Sequence, residues 1–331
     1  MSKKKWLWAL SIGAVLANVV VCHQAYRFTH FKERDDAAGA SRNKIESLSR
    51  FEKLKTALFG IAIYKHRHPD LDLNEAKPYF IPTRKGKYRL AAWHFAAAQK
   101  DAPLFFLFHG YGGDKSRLLP EARALRQMGY QVLAVDFVGH GNSEGTQVTL
   151  GYREAQDVEA VFAWGERVLK PSRLYLYGAS MGAAAVLHAV ARQQAAGKEN
   201  SVFKNLAGLI LECPFATMRH TVRNRFALMG LPTWLLPEWL MLWGSLQNGF
   251  WAFSHAPAEY AKSVEVPLLL LWGEKDERVL RSEIEMLFGN IPPKTPKRLK
   301  IFPQCGHESY CEKAFEEWKA EVELFLGKQA S

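Results

Sequence analysis

Leu174-Tyr175-Leu176-Tyr177-Gly178-Ala179-Ser180-Met181-Gly182-Ala183-Ala184-Ala185 reads as a strand, a sharp turn and the start of a helix. Leucine and tyrosine alternate up to Tyr177, which suits a buried strand. From Met181 the residues are small or helix-favouring. Between them stands Gly178-x-Ser180-x-Gly182, the spacing that presents a serine as a nucleophile. A serine forced into a strand-to-helix turn has a strained backbone and a hydroxyl clear of the sheet. The residues two before and two after it are driven together, and glycine has no Cβ to collide. The helix that follows aims free N–H groups and its positive dipole end at the same point.

A serine nucleophile needs a base, and the base needs an orienting acid. After the apolar run Leu268–Trp272 comes Gly273-Glu274-Lys275-Asp276, and after Leu299–Phe302 comes Gly306-His307. Both positions lie just past expected strand ends, where an open α/β sheet places its site. Ser180, Asp276 and His307 are the expected catalytic set, with Asp276 on one ring nitrogen of His307 and Ser180 on the other. Glu212, at the end of another strand, is a substitute acid ranked behind Asp276. The oxyanion hole is expected from the N–H groups of Tyr111 and Met181, because His109-Gly110-Tyr111-Gly112-Gly113 follows the strand Leu104–Phe108. His109 and His140 are read as props for their loops.

Outward from the serine, strands and helices alternate, the mark of a mostly parallel sheet covered on both faces. Tyr79–Ile81 and Tyr88–Phe95 are expected as a leading antiparallel pair around Lys85-Gly86. Leu104–Phe108, Val132–Phe137, Arg173–Tyr177, Ala207–Leu211, Pro267–Trp272 and Leu299–Phe302 follow as short apolar strands. Helices are expected near 116–128, 152–169, 181–196, 281–289 and 312–327. The stretch from about 216 to 266 breaks the alternation. It is rich in tryptophan and leucine, interrupted by proline, and too long for a connection. It is read as a small helical lid, with core packing of a long crossover as the plainer alternative.

The motifs His109-Gly110-x-Gly112-Gly113, Asp136-x-x-Gly139-His140-Gly141-x-Ser143-x-Gly145, Gly178-x-Ser180-x-Gly182, Gly273-x-x-Asp276 and Gly306-His307 together resemble the α/β-hydrolase superfamily. The likeness is to its serine aminopeptidase and monoacylglycerol-lipase-like branch, over about residues 79–327. The resemblance implies an α/β-hydrolase fold, Ser180 as nucleophile, His307 as base and Asp276 as acid. It departs at Val138, where many relatives carry arginine or tyrosine. Aminopeptidase activity does not carry over with it. Between 216 and 266 only Glu238, Glu259 and Glu265 are acidic, too little to assign an ammonium site. The reading is a serine hydrolase acting on carboxylic esters of acyl or lipid-like substrates. A peptidase or thioesterase of the same fold, and a non-catalytic binding protein, are the alternatives.

The chain has 331 residues, 48% hydrophobic and 23% charged, enough for one large α/β domain and an extension. Residues 1–90 hold 18 Lys/Arg against 8 Asp/Glu, so nearly all of the +11 net charge lies there. The main domain is close to neutral, and no nucleic-acid partner is expected. Lys3, Lys4 and Lys5 precede an uncharged run from Trp6 to Cys22, which as helix spans about 26 Å against about 30 Å of bilayer core. Residues 1–22 are therefore expected as an uncleaved signal anchor, with the hydrolase domain outside the cytoplasm. Residues 23–78 are expected as a basic polar linker, weakly helical over Ile45–Ala57, and 79–331 as the domain. The four cysteines, Cys22, Cys213, Cys305 and Cys311, show no metal spacing, and no metal or cofactor is expected. Cys305 and Cys311 are read as free thiols, with a disulfide as the alternative in an oxidising compartment.

Overall fold

The computed structural model describes residues 3–33, 63–69, 71–72 and 74–327, apart from the side chains of 3–7 and 9. The weak helix expected over 45–57 lies outside them. Eight strands form one sheet: β1 (Lys77–Thr83), β2 (Tyr88–Phe95), β3 (Leu104–Phe108), β4 (Gln131–Val135), β5 (Leu174–Ala179), β6 (Leu206–Glu212), β7 (Leu268–Gly273) and β8 (Lys297–Phe302). Their spatial order is β1-β2-β4-β3-β5-β6-β7-β8. β1 and β2 pair antiparallel, β2 joins β4 antiparallel, and every later pairing is parallel. The expected leading pair and the parallel run after it are both there.

Alternate residues of each central strand feed opposite faces. Phe106, Phe108, Leu133, Leu176, Leu209 and Leu270 pack on one side, beneath the helices Glu154–Leu169, Met181–Ala195 and Arg281–Asn290. Phe105, Leu107, Val132, Tyr177, Ile210 and Leu269 pack on the other, against Leu119–Gln127 and Phe315–Phe325. Covering both faces is why these strands read as unbroken apolar runs. The parallel strands all point their C-terminal ends to one edge, and the loops from that edge build the site.

Two of those loops are joined by a buried ion pair. Asp136, just after β4, accepts from the Lys115 backbone N–H and from Lys115 Nζ, each at 2.6 Å, and from Asn142 N–H at 2.8 Å. Both side chains are almost fully buried, and Lys115 Nζ also sits 4.3 Å over the Trp93 ring. Removing one charge leaves the other without its partner in a dry interior. Asp136→Asn is therefore expected to cost about 3 kcal/mol of stability. Urea unfolding measures it, and a loss below about 1 kcal/mol would place the pair among contacts of surface strength.

The N-terminal segment differs from its expected form. One helix runs from Lys3 to Thr29, straight through residue 22 and on through His23, Gln24 and Arg27. No described helix is long and apolar enough to cross a membrane. The expected anchor at 1–22 thus finds no support among the described residues, and the helix splits its surface: Trp8, Leu10, Ile12, Val15, Leu16 and Val19 are more than half exposed, while its other side meets the domain. One side of it packs on the helix Leu236–Asn248. Gln247 Nε2 donates to the Cys22 carbonyl at 2.8 Å, and Trp243 Nε1 reaches Asn18 Oδ1 at 3.4 Å. Asn18 and the Cys22 carbonyl thus have protein partners. Beyond the helix, Phe31 is buried, and the chain is stitched to the domain by Phe31 N–H to Thr146 O and Val148 N–H to Thr29 O, both 2.8 Å.

The interval 216–266 contains two main helices, Met218–Leu228 and Leu236–Asn248. Pro237 stands in the first turn of the second, and Gly249 ends it in a left-handed cap. Trp234 and Leu235 are half or more exposed, whereas Met241 is buried.

Candidate active site

Ser180 stands at the end of β5 with φ 53° and ψ −111°, a conformation rarely adopted by a residue with a side chain. Its N–H donates to the Glu212 carbonyl at 2.8 Å, which ties the turn to β6. The glycines around it answer to contact. A Cβ at Gly178 would lie 2.6 Å from the carbonyl carbon of Gly182, and one at Gly182 would run into the Phe108 carbonyl at the end of β3. Strand, turn and helix fit together only with bare backbone at both places.

The loops after β7 and β8 meet beside it. His307 Nε2 lies 3.0 Å from Ser180 Oγ, and His307 Nδ1 lies 2.7 Å from Asp276 Oδ2. Asp276 Oδ1 accepts from the N–H groups of Arg278 at 2.8 Å and Val279 at 3.0 Å. The carboxylate is thereby fixed with its second oxygen on the imidazole. Gly273 permits the two loops to touch, since a Cβ there would stand 2.5 Å from the carbonyl oxygens of Cys305 and Gly306. Tyr310 adds a prop, its hydroxyl accepting from Gly273 N–H at 2.8 Å.

The loop after β3 crosses directly over the serine. A Cβ at Gly110 would be 3.4 Å from Ser180 Cβ. His109 is fully buried; its Nδ1 bonds the Gly110 carbonyl at 2.8 Å and its Nε2 accepts from Phe137 N–H at 3.2 Å. Burial holds its pKa below the usual histidine value, so the neutral ring that this pairing needs is favoured. His140 is buried too, with Nδ1 3.2 Å from the Val138 carbonyl and its ring edge-on to those of His109 and Phe31. Met181 begins the helix after Ser180 and is buried; Tyr111 is partly buried. The Tyr111 hydroxyl donates to the Phe28 carbonyl at 2.6 Å. Its ring meets Phe31 edge-on at 5.3 Å. The N-terminal helix thus supports the loop expected to hold an oxyanion, a role no local motif announces.

Glu212 faces away from this group. Its carboxyl receives the Tyr177 hydroxyl, and Trp318 Nε1 donates to that hydroxyl at 3.2 Å. Burial, with Glu121 nearby, pushes its pKa well above the usual carboxylate range, which favours the neutral form. Cys213, the next residue, was not anticipated at the site. Its φ is 39°, its side chain is buried, and Sγ lies 4.0 Å from His307 Nε2. Burial, followed by the nearby Asp276, raises its pKa. Its place at the C-terminal end of a central strand, level with Ser180, was the available signal. All four cysteines are free thiols.

Residues 99–260 match the family described as serine aminopeptidase, S33. The bem46 protein of Schizosaccharomyces pombe is 24% identical over 214 residues, 63% of this chain and 62% of that protein. The lysophosphatidylserine lipase ABHD12 of Danio rerio is 25% identical over 216 residues, 63% of this chain and 53% of that enzyme. The chain therefore spans less than two thirds of each of these two relatives. Among solved structures, the Pyrococcus furiosus esterase Pf2001 superposes with a TM-score of 0.61 at 23% identity, over 81% of this chain and 100% of that one.

Proposed function

We propose, from the fold shared with α/β-hydrolase esterases and the family match over residues 99–260, that the chain is a serine hydrolase cleaving carboxylic esters of acyl or lipid-like substrates. The hydrogen-bonded sequence Asp276, His307, Ser180 carries the reading. In it, Ser180 Oγ attacks the ester carbonyl while His307 Nε2 takes its proton. The tetrahedral oxyanion is met by the N–H groups of Tyr111 and Met181. His307 returns the proton to the leaving alcohol, an acyl-serine remains, and a water activated by the same nitrogen releases the acid.

Two observations favour an acyl substrate over a peptide with a free amine. The three acidic residues between 216 and 266 already face cations: Glu238 pairs with Arg219 and Arg223, Glu259 with Lys262, and Glu265 with Lys198 and Lys294. Between the N-terminal helix and Leu236–Asn248 runs a groove of about 550 Å³, lined chiefly by Val15, Val19, Cys22, Tyr26 and Trp243. We read the N-terminal helix and Leu236–Asn248 as the walls of an acyl site.

A fluorophosphonate should label Ser180 in the whole chain, and peptide mapping identifies the residue. Folded protein that takes no label would remove the reading. The N-terminal helix has to be kept in this test, because Phe28 and Phe31 hold Tyr111. Each methylene buried in the groove is worth about 0.8 kcal/mol, so kcat/KM should climb from acetyl to decanoyl esters below their micellar limits. A flat or falling series would count against an acyl groove. Thioesters and aminoacyl amides assayed alongside separate the other activities open to this fold.

A further inference from the structure

Cys213 has no part in the proposed ester chemistry, yet it stands in the site. Among the described residues, Cys213, Asp276 and His307 form a cluster whose ligand atoms lie within 4.8 Å of one another. We propose that Cys213 Sγ, His307 Nε2 and Ser180 Oγ form a binding site for a thiophilic divalent cation, Zn²⁺ being the representative case, and that its occupation switches the enzyme off.

The two separations from His307 Nε2 are close to the edges of a tetrahedral face. With Zn–N near 2.05 Å, Zn–S near 2.3 Å and Zn–O near 2.1 Å, the ligand atoms should stand about 3.6 Å apart for N and S and about 3.4 Å for N and O. The observed separations are 4.0 Å for His307 Nε2 to Cys213 Sγ and 3.0 Å for His307 Nε2 to Ser180 Oγ. Shifts of a few tenths of an ångström close the site, within reach of side-chain motion. A water completes the fourth position. Asp276 then does for the metal what it does for catalysis. Its Oδ2 holds Nδ1, which orients Nε2 outward, the carboxylate–histidine arrangement common around bound zinc.

The protons balance simply. Zn²⁺ binds, the thiol loses one proton to solvent as the S–Zn bond forms, and the imidazole coordinates through the lone pair that otherwise accepts from Ser180. The serine loses its base and the ester carbonyl loses its approach. A thiolate and an imidazole suit Zn²⁺, whereas Mg²⁺ wants oxygen donors, so Mg²⁺ should leave the enzyme active.

The inhibition rests on the catalytic reading of Ser180 and His307; metal binding itself does not. The test therefore has two arms on the whole chain. In the first, buffered Zn²⁺ should block ester turnover and fluorophosphonate labelling, with recovery on adding EDTA. Cys213→Ala should raise the Zn²⁺ concentration needed by at least about tenfold, and Cys213→Ser serves if the alanine variant folds poorly. In the second, Co²⁺ should give a thiolate-to-metal charge-transfer band in wild type and in Ser180→Ala, lost in Cys213→Ala and weakened in His307→Ala. Equal Zn²⁺ sensitivity in wild type and Cys213→Ala, equal inhibition by Mg²⁺, or no thiolate band in wild type would each overturn the proposal. A thiolate band without any ester turnover would leave the metal site standing and remove the esterase reading instead.

Discussion

Ser180→Ala is expected to lower ester turnover by about five to six orders of magnitude and to abolish fluorophosphonate labelling. Removing the nucleophile from a serine triad costs about as much as removing the triad, because the three groups act as one unit. What survives is the residual acceleration that an oxyanion hole and substrate binding give, about 10³- to 10⁴-fold over water. The fold should survive as well. Alanine keeps the Cβ that touches the Gly110 loop, and the backbone N–H to the Glu212 carbonyl is untouched. The φ of 53° is no worse for alanine than for serine. Steady-state kinetics and a thermal melt on the same preparation check both halves. Turnover above about one per cent of wild type, in a well-folded variant, would move the nucleophile elsewhere.

The features that were legible in the sequence are those whose signal is local. β5 and its turn could be read because the strand alternates, the serine sits between two glycines, and the helix follows without a break. Asp276 and His307 could be placed because each follows a short apolar run and a glycine. Two other features depend on what distant segments do. The run from Trp6 to Cys22 is apolar all round, which in isolation reads as a membrane span. Its docking on Leu236–Asn248 is written in the hydrogen bonds of Asn18 and Cys22 to a helix some 225 residues away. Cys213 lies 94 residues from His307, and only the parallel pairings of β6 with β7 and of β7 with β8 bring the two loops level. The direction of Glu212 was within reach of the strand pattern. Ile210 and Glu212 share a face of β6, and Ile210 packs with Tyr177 and Trp318. Alternation therefore sends the Glu212 carboxyl into that layer and away from His307.

That placement makes the acid assignment open to a sharp test. Asp276→Asn is expected to cost about 10⁴-fold in kcat, and Glu212→Gln only a few-fold. The geometry gives the reason for the first. The Asp276 oxygen that accepts from the Arg278 and Val279 N–H groups can be replaced only by the amide oxygen of asparagine, since an NH₂ there would confront two donors. The asparagine NH₂ must then face His307 Nδ1. A ring that accepts at Nδ1 carries its proton on Nε2 and cannot take one from Ser180, so the base is held in the wrong tautomer while every heavy atom keeps its place. Glu212 differs in both respects. Burial already favours its neutral form, so glutamine is a close mimic, and the amide oxygen can still accept from the Tyr177 hydroxyl. Any loss should appear in the melting temperature before it appears in kcat. Measured kcat for the two variants, corrected for folded fraction, decides the matter: if Glu212→Gln proves the more damaging, the acid belongs to β6 and the Asp276 assignment falls.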